Sequence, residues 1–509
     1  MEKVQALGDG AWRHDRLVWM RALITLGRRP ILAATCYSLV ALVAVLFIAS
    51  VLPSFEIPDE VSHFLKAESI SEGNIRPVIL GDSRGAGVDA GALDYWGAYN
   101  EHITKASPVP PGLASAAAAV RWKRETKEIG FSNTAQYGPF FYIPQAATLA
   151  IGRLFDFSVE VSYRAARLAG ALTAVLVAAA AIALARWGRL LLAVMLLTPM
   201  YLFLTVSVSQ DGLLIAVSAL YAALLTRLWS RDAGTGWLTS NRTFLMALAC
   251  VLMLSLARLP YVLLSILLVH PDRLDIRSLW RQRRFFAGFA TPLLAPVIGF
   301  AFVLWWALWA HIPGTKVIID SAIDPSAQMG LLMSHPWRIL LVAFRSWHNL
   351  TSTGIQIIGV LGWLNIVLSP SAYNLGQLAI YLAIVVSMLQ RSGPALKAAL
   401  VTWIVLWAVT GAIVMALYVT WTPVGAPSAL GLQGRYFMPL ICVGILALPT
   451  VRAHIFASSL GRRMDASSPG ALEAGIGSVQ AIMSLVATTG MVVVLLHALG
   501  TLQKAYIGS

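Results

Sequence analysis

Charged side chains are sparse in this chain, and one concentrated group of them stands directly after an apolar run. The stretch Phe55-Glu56-Ile57-Pro58-Asp59-Glu60-Val61-Ser62-His63-Phe64-Leu65-Lys66 follows Ile31 to Leu52, a run long enough to cross a bilayer. Proline suits the first position of a helix, and acids suit its positive end. A helix starting at Pro58 puts Asp59, His63 and Lys66 on one face, at i, i+4 and i+7. Two carboxylates, an imidazole and an amine beside hydrocarbon offer acid–base chemistry or a site for a charged ligand. The plainer alternative is a solvated helix start with capping acids.

The elements that position this group must themselves cross a membrane. Of 509 residues, 58% are hydrophobic and 12% charged, and the mean hydropathy is +0.72. That composition excludes a soluble globular protein and predicts an all-α, multi-spanning membrane protein. The net charge of +14 comes from basic residues lying mostly between apolar runs, which is the footprint of membrane topology, not of nucleic-acid binding. Cys36, Cys250 and Cys442 lie within apolar runs, without metal-ligand or disulfide spacing. Arg13, Arg16, Arg21, Arg28 and Arg29 mark residues 1–30 as a cytoplasmic segment. No small-x-small site closes the first apolar run, so it is read as an uncleaved helix. Phosphate-binding loops, dinucleotide fingerprints and His-Glu-x-x-His are absent.

With the N-terminus inside, the first span delivers Asp59 to the outer face. A polar segment, Pro53 to Tyr137, follows, with a charged helix-like stretch from Arg121 to Glu128. Gln136 to Phe155 reads as a short, Pro-interrupted helix along the outer interface. Further spans are expected at Val161–Ala185, Leu190–Val208, Leu213–Leu228 and Phe244–Ala257, then after Pro260 and at Ala287–Ala310. An inner loop carries Arg273, Arg277, Arg281, Arg283 and Arg284. An outer segment from His311 holds Lys316, Asp320, Asp324, His335, Arg338, Arg345 and His348. Gly354 to Leu368 is read as interfacial or re-entrant, because crossing there would place Arg391 and Lys397 outside. Spans at Tyr373–Leu389, Leu396–Tyr418, Arg435–Thr450 and Ile476–Leu499 complete the chain. The total is about eleven, or twelve if the doubtful segment crosses. Residues 31–509 thus read as one transmembrane domain with outer loops at 53–160 and 311–371.

This topology gathers Asp59, Glu60, His63, Lys66, Asp211, Arg258 and Arg435 on the outer side. Arginines at outer ends oppose the positive-inside bias, and forked binding of a phosphate is one reason for them. Snorkelling into lipid headgroups is the alternative for Arg258 and Arg435, and a helix N-cap is the alternative for Asp211. His335 and His348 match no metal-ligand spacing. Transfer of a sugar from a lipid phosphate fits the set: a carboxylate as general base, cations on the departing phosphate.

Several blocks carry a resemblance. They are Pro58-Asp59-Glu60-x-x-His63, Tyr137-Gly138-Pro139-Phe140-Phe141-Tyr142, Thr198-Pro199-Met200 with Ser209-Gln210-Asp211-Gly212, Arg258-Leu259-Pro260-Tyr261, Gly359-Val360-Leu361-Gly362-Trp363-Leu364-Asn365 and Gln433-Gly434-Arg435-Tyr436-Phe437-Met438-Pro439. Together they resemble domain-of-unknown-function family 2142, related to the GT-C superfamily of polytopic glycosyltransferases. The resemblance spans about Pro53 to Pro439. It implies a GT-C fold with interfacial helices and an outer cavity, a polyprenyl-phosphate-sugar donor, and inverting transfer. It makes Asp59 the catalytic acid of the first outer loop, beside Glu60, and Asp211 the second acid. Divalent-metal use varies in that superfamily; Asp59, Glu60 and Asp211 are the residues that would hold one. Two departures stand out: Ser209-Gln210-Asp211 where many relatives carry Asn-x-Asp, and Asn365 where an acid is common.

The resulting expectation is an inner-membrane glycosyltransferase acting on the periplasmic or exterior face. It moves a sugar from a polyprenyl-phosphate donor to an envelope glycan or lipid, with membrane lipids and no nucleic acid as other partners. Asp59 is expected as base, with Glu60 and His63 positioning it or a metal. Asp211 is expected as secondary acid. Arg258, Arg435 and Lys66 bind the donor phosphate, and Tyr137, Tyr261, Gln433 and Tyr436 line the pocket. The alternative is a transporter or flippase of a lipid-linked saccharide, which needs ionisable groups along a path through the membrane. A non-catalytic envelope scaffold is the third class.

Overall fold

The computed structural model describes residues 29–230, 237–269, 290–310, 322–452, 455 and 471–508. Arg13, Arg16, Arg21, Arg28, the arginines from 273 to 284, Lys316 and Asp320 lie outside the described residues, as does the side chain of His348. Helix α1 (Pro30–Val51) opens on proline, and its chain turns extended at Leu52.

The outer segment after α1 is folded. Helix α2 (Glu60–Ser71) precedes an antiparallel sheet of β1 (Val78–Leu80), β2 (Ser83–Asp89) and β3 (Thr126–Gly130), in that spatial order. Helices α3 (Ala90–Tyr99) and α4 (Pro111–Ala119) lie between β2 and β3. The charged stretch from Arg121 to Glu128 is therefore not helical. Its end joins β3, where Asp89 pairs with Thr126 and Gly85 with Gly130. The Asp89 carboxylate explains the change: it accepts the N–H groups of Lys123 (2.9 Å), Arg124 (2.6 Å) and Gly91 (2.6 Å). One acid thereby caps α3 and holds the extended strand entry.

After α5 (Ser132–Ala135) comes α6 (Ile143–Leu154). It exposes Ile143, Ile151 and Leu154 and buries Gln145, Ala146 and Leu149, the two-sided character of a helix lying along a membrane surface. Helix α7 (Val159–Leu184) buries Ala166, Gly170, Ala171, Ala174, Ala178 and Ala181. Small side chains at this spacing let neighbouring helices approach closely. The expected single span Leu190–Val208 is instead α8 (Arg189–Met195) and α9 (Pro199–Thr205), because Pro199 opens a new helix capped by the Thr198 hydroxyl.

Helices α10 (Asp211–Leu228) and α11 (Trp237–Ala257) follow, then a 3-10 helix over Leu259–Leu268 and α12 (Ala290–Trp309). Helix α7 packs on α1, α6 and α10, and α10 packs on α11. Next are α13 (Pro325–Ser334) and α14 (Arg338–Gly359). The segment Gly354–Leu368 does not form a helix of its own. Its first part ends α14, and the rest is a hairpin of β4 (Val360–Leu361) and β5 (Ile366–Val367), with Gly362 and Leu364 at positive φ.

Helices α15 (Pro370–Met388) and α16 (Leu396–Thr420) match expectation. The expected span from Arg435 is a 3-10 turn at Gly434–Tyr436, α17 (Met438–Val443) and a second 3-10 turn at Gly444–Ala447. Helix α18 (Ala471–Tyr506) packs on α15 and α1.

Among the described residues six helices, α1, α7, α10, α15, α16 and α18, are long and apolar enough to cross a membrane, with shorter apolar helices at 241–257, 259–268, 294–309 and 434–447. Among the described residues, several of the expected spans are therefore short or broken. Prolines 199, 260 and 439 start the shortened pieces, since proline cannot donate within a helix. At one end of the bundle Gly188 N–H bonds the Gln390 side chain, and Arg391 and Arg452 both pair with Glu473. The acids and arginines singled out above lie elsewhere.

Candidate functional site

Four stretches meet beyond the last turn of α1: the loop 52–59, the start of α10, the link after α11, and the 3-10 turn at Gly434. Asp59 is the N-cap of α2 with φ 64° and ψ 6°, so the helix begins at Glu60, two residues later than the proline rule predicts. This left-handed conformation is tolerated by aspartate better than by most residues. The Asp59 carboxylate pairs with Arg435.

Arg435 is the hub. It donates to the Pro58 carbonyl at 3.1 Å, pairs with the Asp59 carboxylate, and lies 3.3 Å from Asp211 Oδ2 through its other terminal nitrogen. Gly434 lets it sit there, because a Cβ at that position would fall 2.7 Å from Gln356 Cβ and 2.8 Å from the Thr353 carbonyl oxygen on α14. Arg258 completes the cluster, donating to Asp211 Oδ1 at 2.9 Å. Its guanidinium lies 4.1 Å from the centre of the Tyr436 ring, and Arg435 approaches the same ring at 5.4 Å. Tyr261 donates to the Tyr436 carbonyl at 2.8 Å, holding that ring in place.

The order of charge is Asp59, Arg435, Asp211, Arg258, alternating in sign. Arg435 and Asp211 are 1% and 3% exposed as side chains, whereas Asp59 is 31% and Arg258 16% exposed. Burying unpaired charge costs several kcal/mol, so the inner two members stay ionised only because each has an opposite neighbour. Approach from solvent is open at the two outer members. Arg435 Nε and Gln433 Oε1 are buried with no hydrogen-bond partner among the described residues.

His63 lies behind this row. Its Nδ1 is 2.6 Å from the Tyr142 hydroxyl, and the Tyr137 ring stacks on the imidazole at 6.2 Å with 21° between planes. Burial pulls its pKa down to about 4, against the opposing influence of Asp211 and Asp59. His63 is therefore neutral at pH 7. Burial also raises the Tyr137 hydroxyl to about 12, keeping it protonated. A protonated Tyr142 donating to Nδ1 leaves the imidazole proton on Nε2.

Two expected members sit apart. Glu60 is committed to Arg167 of α7, which donates to it through Nε at 2.9 Å and Nη2 at 2.6 Å. Arg167 also holds the Leu52 and Pro53 carbonyls, at 3.0 and 2.9 Å. Lys66 is fully buried and donates to the Ile75 (3.2 Å) and Ala135 (2.9 Å) carbonyls. Its ammonium thus meets the loop after α2 and the end of α5, and not the Arg435 cluster.

Sequence reasoning passed over Arg167, Tyr142 and Trp363. Arg167 had a signal: an arginine inside an alanine-rich span calls for a partner. Trp363 lay in a quoted motif but had no assigned task. Its indole N–H donates to the Phe55 carbonyl at 2.9 Å, and Asn365 donates to the Thr104 carbonyl at 3.0 Å. Phe55, like Asp59, has a positive φ, and its N–H donates to the Tyr163 hydroxyl at 3.1 Å.

A divalent metal fits these donors poorly. Both Glu60 oxygens accept from Arg167, and Arg435 occupies the position between Asp59 and Asp211. No group of three His, Cys, Asp or Glu able to hold a metal occurs among the described residues.

No curated protein matches the chain. Among solved structures, a crystal structure of ArnT from Cupriavidus metallidurans bound to undecaprenyl phosphate aligns with 15% identity and a TM-score of 0.43, covering 93% of this chain and 77% of that one. The profile of the DUF2142 family, described as predicted membrane proteins, matches residues 41–443, and the chain belongs to that family.

Proposed function

We propose that this membrane protein is a glycosyltransferase that moves a sugar from a polyprenyl-phosphate donor to an envelope glycan or lipid. The observation that carries the reading is the buried Arg435, joined to both Asp59 and Asp211 and flanked by Arg258. Two guanidinium groups beside an exposed carboxylate, next to the end of a membrane span, suit a sugar phosphate carried on a lipid.

In this mechanism Arg258 and Arg435 hold the donor phosphate and stabilise the charge that grows on it as the glycosidic bond breaks. Asp59 takes the proton from the acceptor hydroxyl, which attacks the anomeric carbon from the face opposite the phosphate and inverts it. Asp211 keeps both arginines oriented. His63, neutral and fixed by Tyr142, serves as a hydrogen-bonding wall, with Tyr137, Tyr261, Gln433 and Tyr436 around it. The site faces the periplasm of a bacterial inner membrane, since the end carrying Arg391 and Arg452 is the better candidate for the cytoplasmic side. Ionisable groups gathered at one end, and not along a path across the bundle, weigh against transport.

The test is purified full-length protein, reconstituted with polyprenyl-phosphate sugars and a cell-envelope fraction, with release of polyprenyl phosphate as the readout. Asp59→Asn should lower turnover by about 10²-fold or more while expression and membrane insertion stay intact. Turnover retained in that variant removes Asp59 from the mechanism.

A further inference from the structure

The row Asp59, Arg435, Asp211, Arg258 has a consequence for the order of events, and the inference rests on the function proposed above. Its four charges sum to zero: two carboxylates, two guanidinium groups. Arg435 has its terminal nitrogens spoken for, one by Asp59 and the other by Pro58 and Asp211. Arg258 is held by Asp211 and lies against Tyr436. A phosphate placed on both arginines adds negative charge to a balanced, largely buried set. The partner that can yield is Asp59. Asp211 is 3% exposed and lies between the two arginines, whereas Asp59 is 31% exposed and sits at the end of the row.

We propose that Asp59 and the donor phosphate compete for Arg435, so that donor binding releases the Asp59 carboxylate from its ion pair. In the resting protein the Asp59 carboxylate is engaged by Arg435 before any donor arrives. When the phosphate of the lipid-linked sugar engages Arg435, the carboxylate loses that cation and gains an anion as neighbour. The carboxylate is therefore free of its ion pair only when the donor is present, and the acceptor hydroxyl, approaching from the exposed side, is the proton source. The proton moves from the acceptor oxygen to an Asp59 oxygen while the new C–O bond forms and the sugar–phosphate bond breaks. The electron pair leaves with the phosphate, which then carries a further negative charge held by Arg435 and Arg258. Without donor the Asp59 carboxylate stays on Arg435, which limits wasteful proton transfer from water.

The competition predicts an effect opposite to that of an ordinary binding residue: removing the Asp59 charge should tighten the hold on phosphate. Full-length protein in detergent is titrated with a polyprenyl phosphate, with inorganic phosphate and with phosphatidylglycerol in parallel, reading intrinsic tryptophan fluorescence and thermal shift. Asp59→Asn and Asp59→Ala should both bind polyprenyl phosphate about ten-fold tighter than wild type, on the scale of losing one close like-charge contact at a partly exposed site. Arg435→Lys should weaken binding in the wild-type and Asp59→Asn backgrounds alike. A gain seen equally with phosphatidylglycerol assigns the site to lipid headgroups and overturns the inference. Equal or weaker binding of polyprenyl phosphate by both Asp59 variants overturns the competition while leaving the proposed function standing. If the wild type and the variants all fail to bind polyprenyl phosphate, the proposed function itself falls, and the inference with it.

Discussion

Glu60 offers a direct trial of how the acids divide their labour. Replacing it with glutamine keeps the shape and removes the charge. In the native structure Oε1 accepts from Arg167 Nε at 2.9 Å and from the Val208 N–H at 3.0 Å, and Oε2 accepts from Arg167 Nη2 at 2.6 Å. The side chains of Glu60 and Arg167 are 0% and 4% exposed. Glutamine has one acceptor oxygen, so its amide N–H₂ must face a guanidinium that can only donate. Breaking a buried pair by removing one partner costs about 3–5 kcal/mol. Counting instead the bonds to a charged group, at about 1.5–3 kcal/mol each, leads to the same order. A loss near 4 kcal/mol is about three decades in the folded-to-unfolded ratio. Denaturant unfolding in detergent, followed by tryptophan fluorescence, measures it. Replacing the pair together, as Glu60→Leu with Arg167→Met, should recover much of the loss, since apolar substitutes for buried ion pairs are often neutral. If Glu60→Gln unfolds like wild type yet abolishes sugar transfer, the structural assignment of Glu60 is wrong and it belongs among the reacting groups.

Three further outcomes follow from the geometry. Trp363→Phe keeps the ring and deletes the donor to Phe55; with the loop bearing Asp59 loosened, kcat should fall about ten-fold, KM for the donor should hold, and stability should change by about 1 kcal/mol. A parallel rise in KM would show that Trp363 acts on donor binding instead. Gly434→Ala drives a Cβ against the Thr353 carbonyl and Gln356, so Arg435 must shift; transfer should drop by about 10²-fold, and unchanged turnover would refute the packing argument. Lys66 bears on pH. Burial pulls its pKa from 10.5 down to about 7, so between those values the unfolded chain holds more protons than the folded one. The stability of the wild type relative to Lys66→Met should therefore rise with pH from about 7 towards 10. Melting temperatures in detergent across that range check it, and a flat difference would contradict the burial of an amine held only by carbonyls.

Much of this protein is visible without coordinates. Apolar runs such as Ile31–Leu52, Val161–Ala185 and Tyr373–Leu389 match α1, α7 and α15 closely, because length and hydropathy are local properties. Asp59, Asp211, Arg258 and Arg435 stood out because charge near hydrocarbon demands a reason, and these four do meet. Where proline interrupts a run, hydropathy alone overstates the span. This happened at Pro199 and Pro439, whose missing N–H starts a new, shorter element. The segment from Arg121 misled in a different way: its strand exists only because β2 and the Asp89 carboxylate lie beside it.

The residue types alone decided that this chain lives in a membrane and that a few ionisable groups had to find one another or pay heavily in desolvation. Which groups did so was decided by tertiary structure. Glu60 and Asp59 are adjacent, yet a left-handed turn sends one to Arg167 in the bundle and the other to Arg435, which is 376 residues away. Nothing local separates them. Partner choice depends on which distant arginine the packing of α7, α10 and the Gly434 turn brings within reach, and a contact so far along the chain leaves no periodicity or spacing to read.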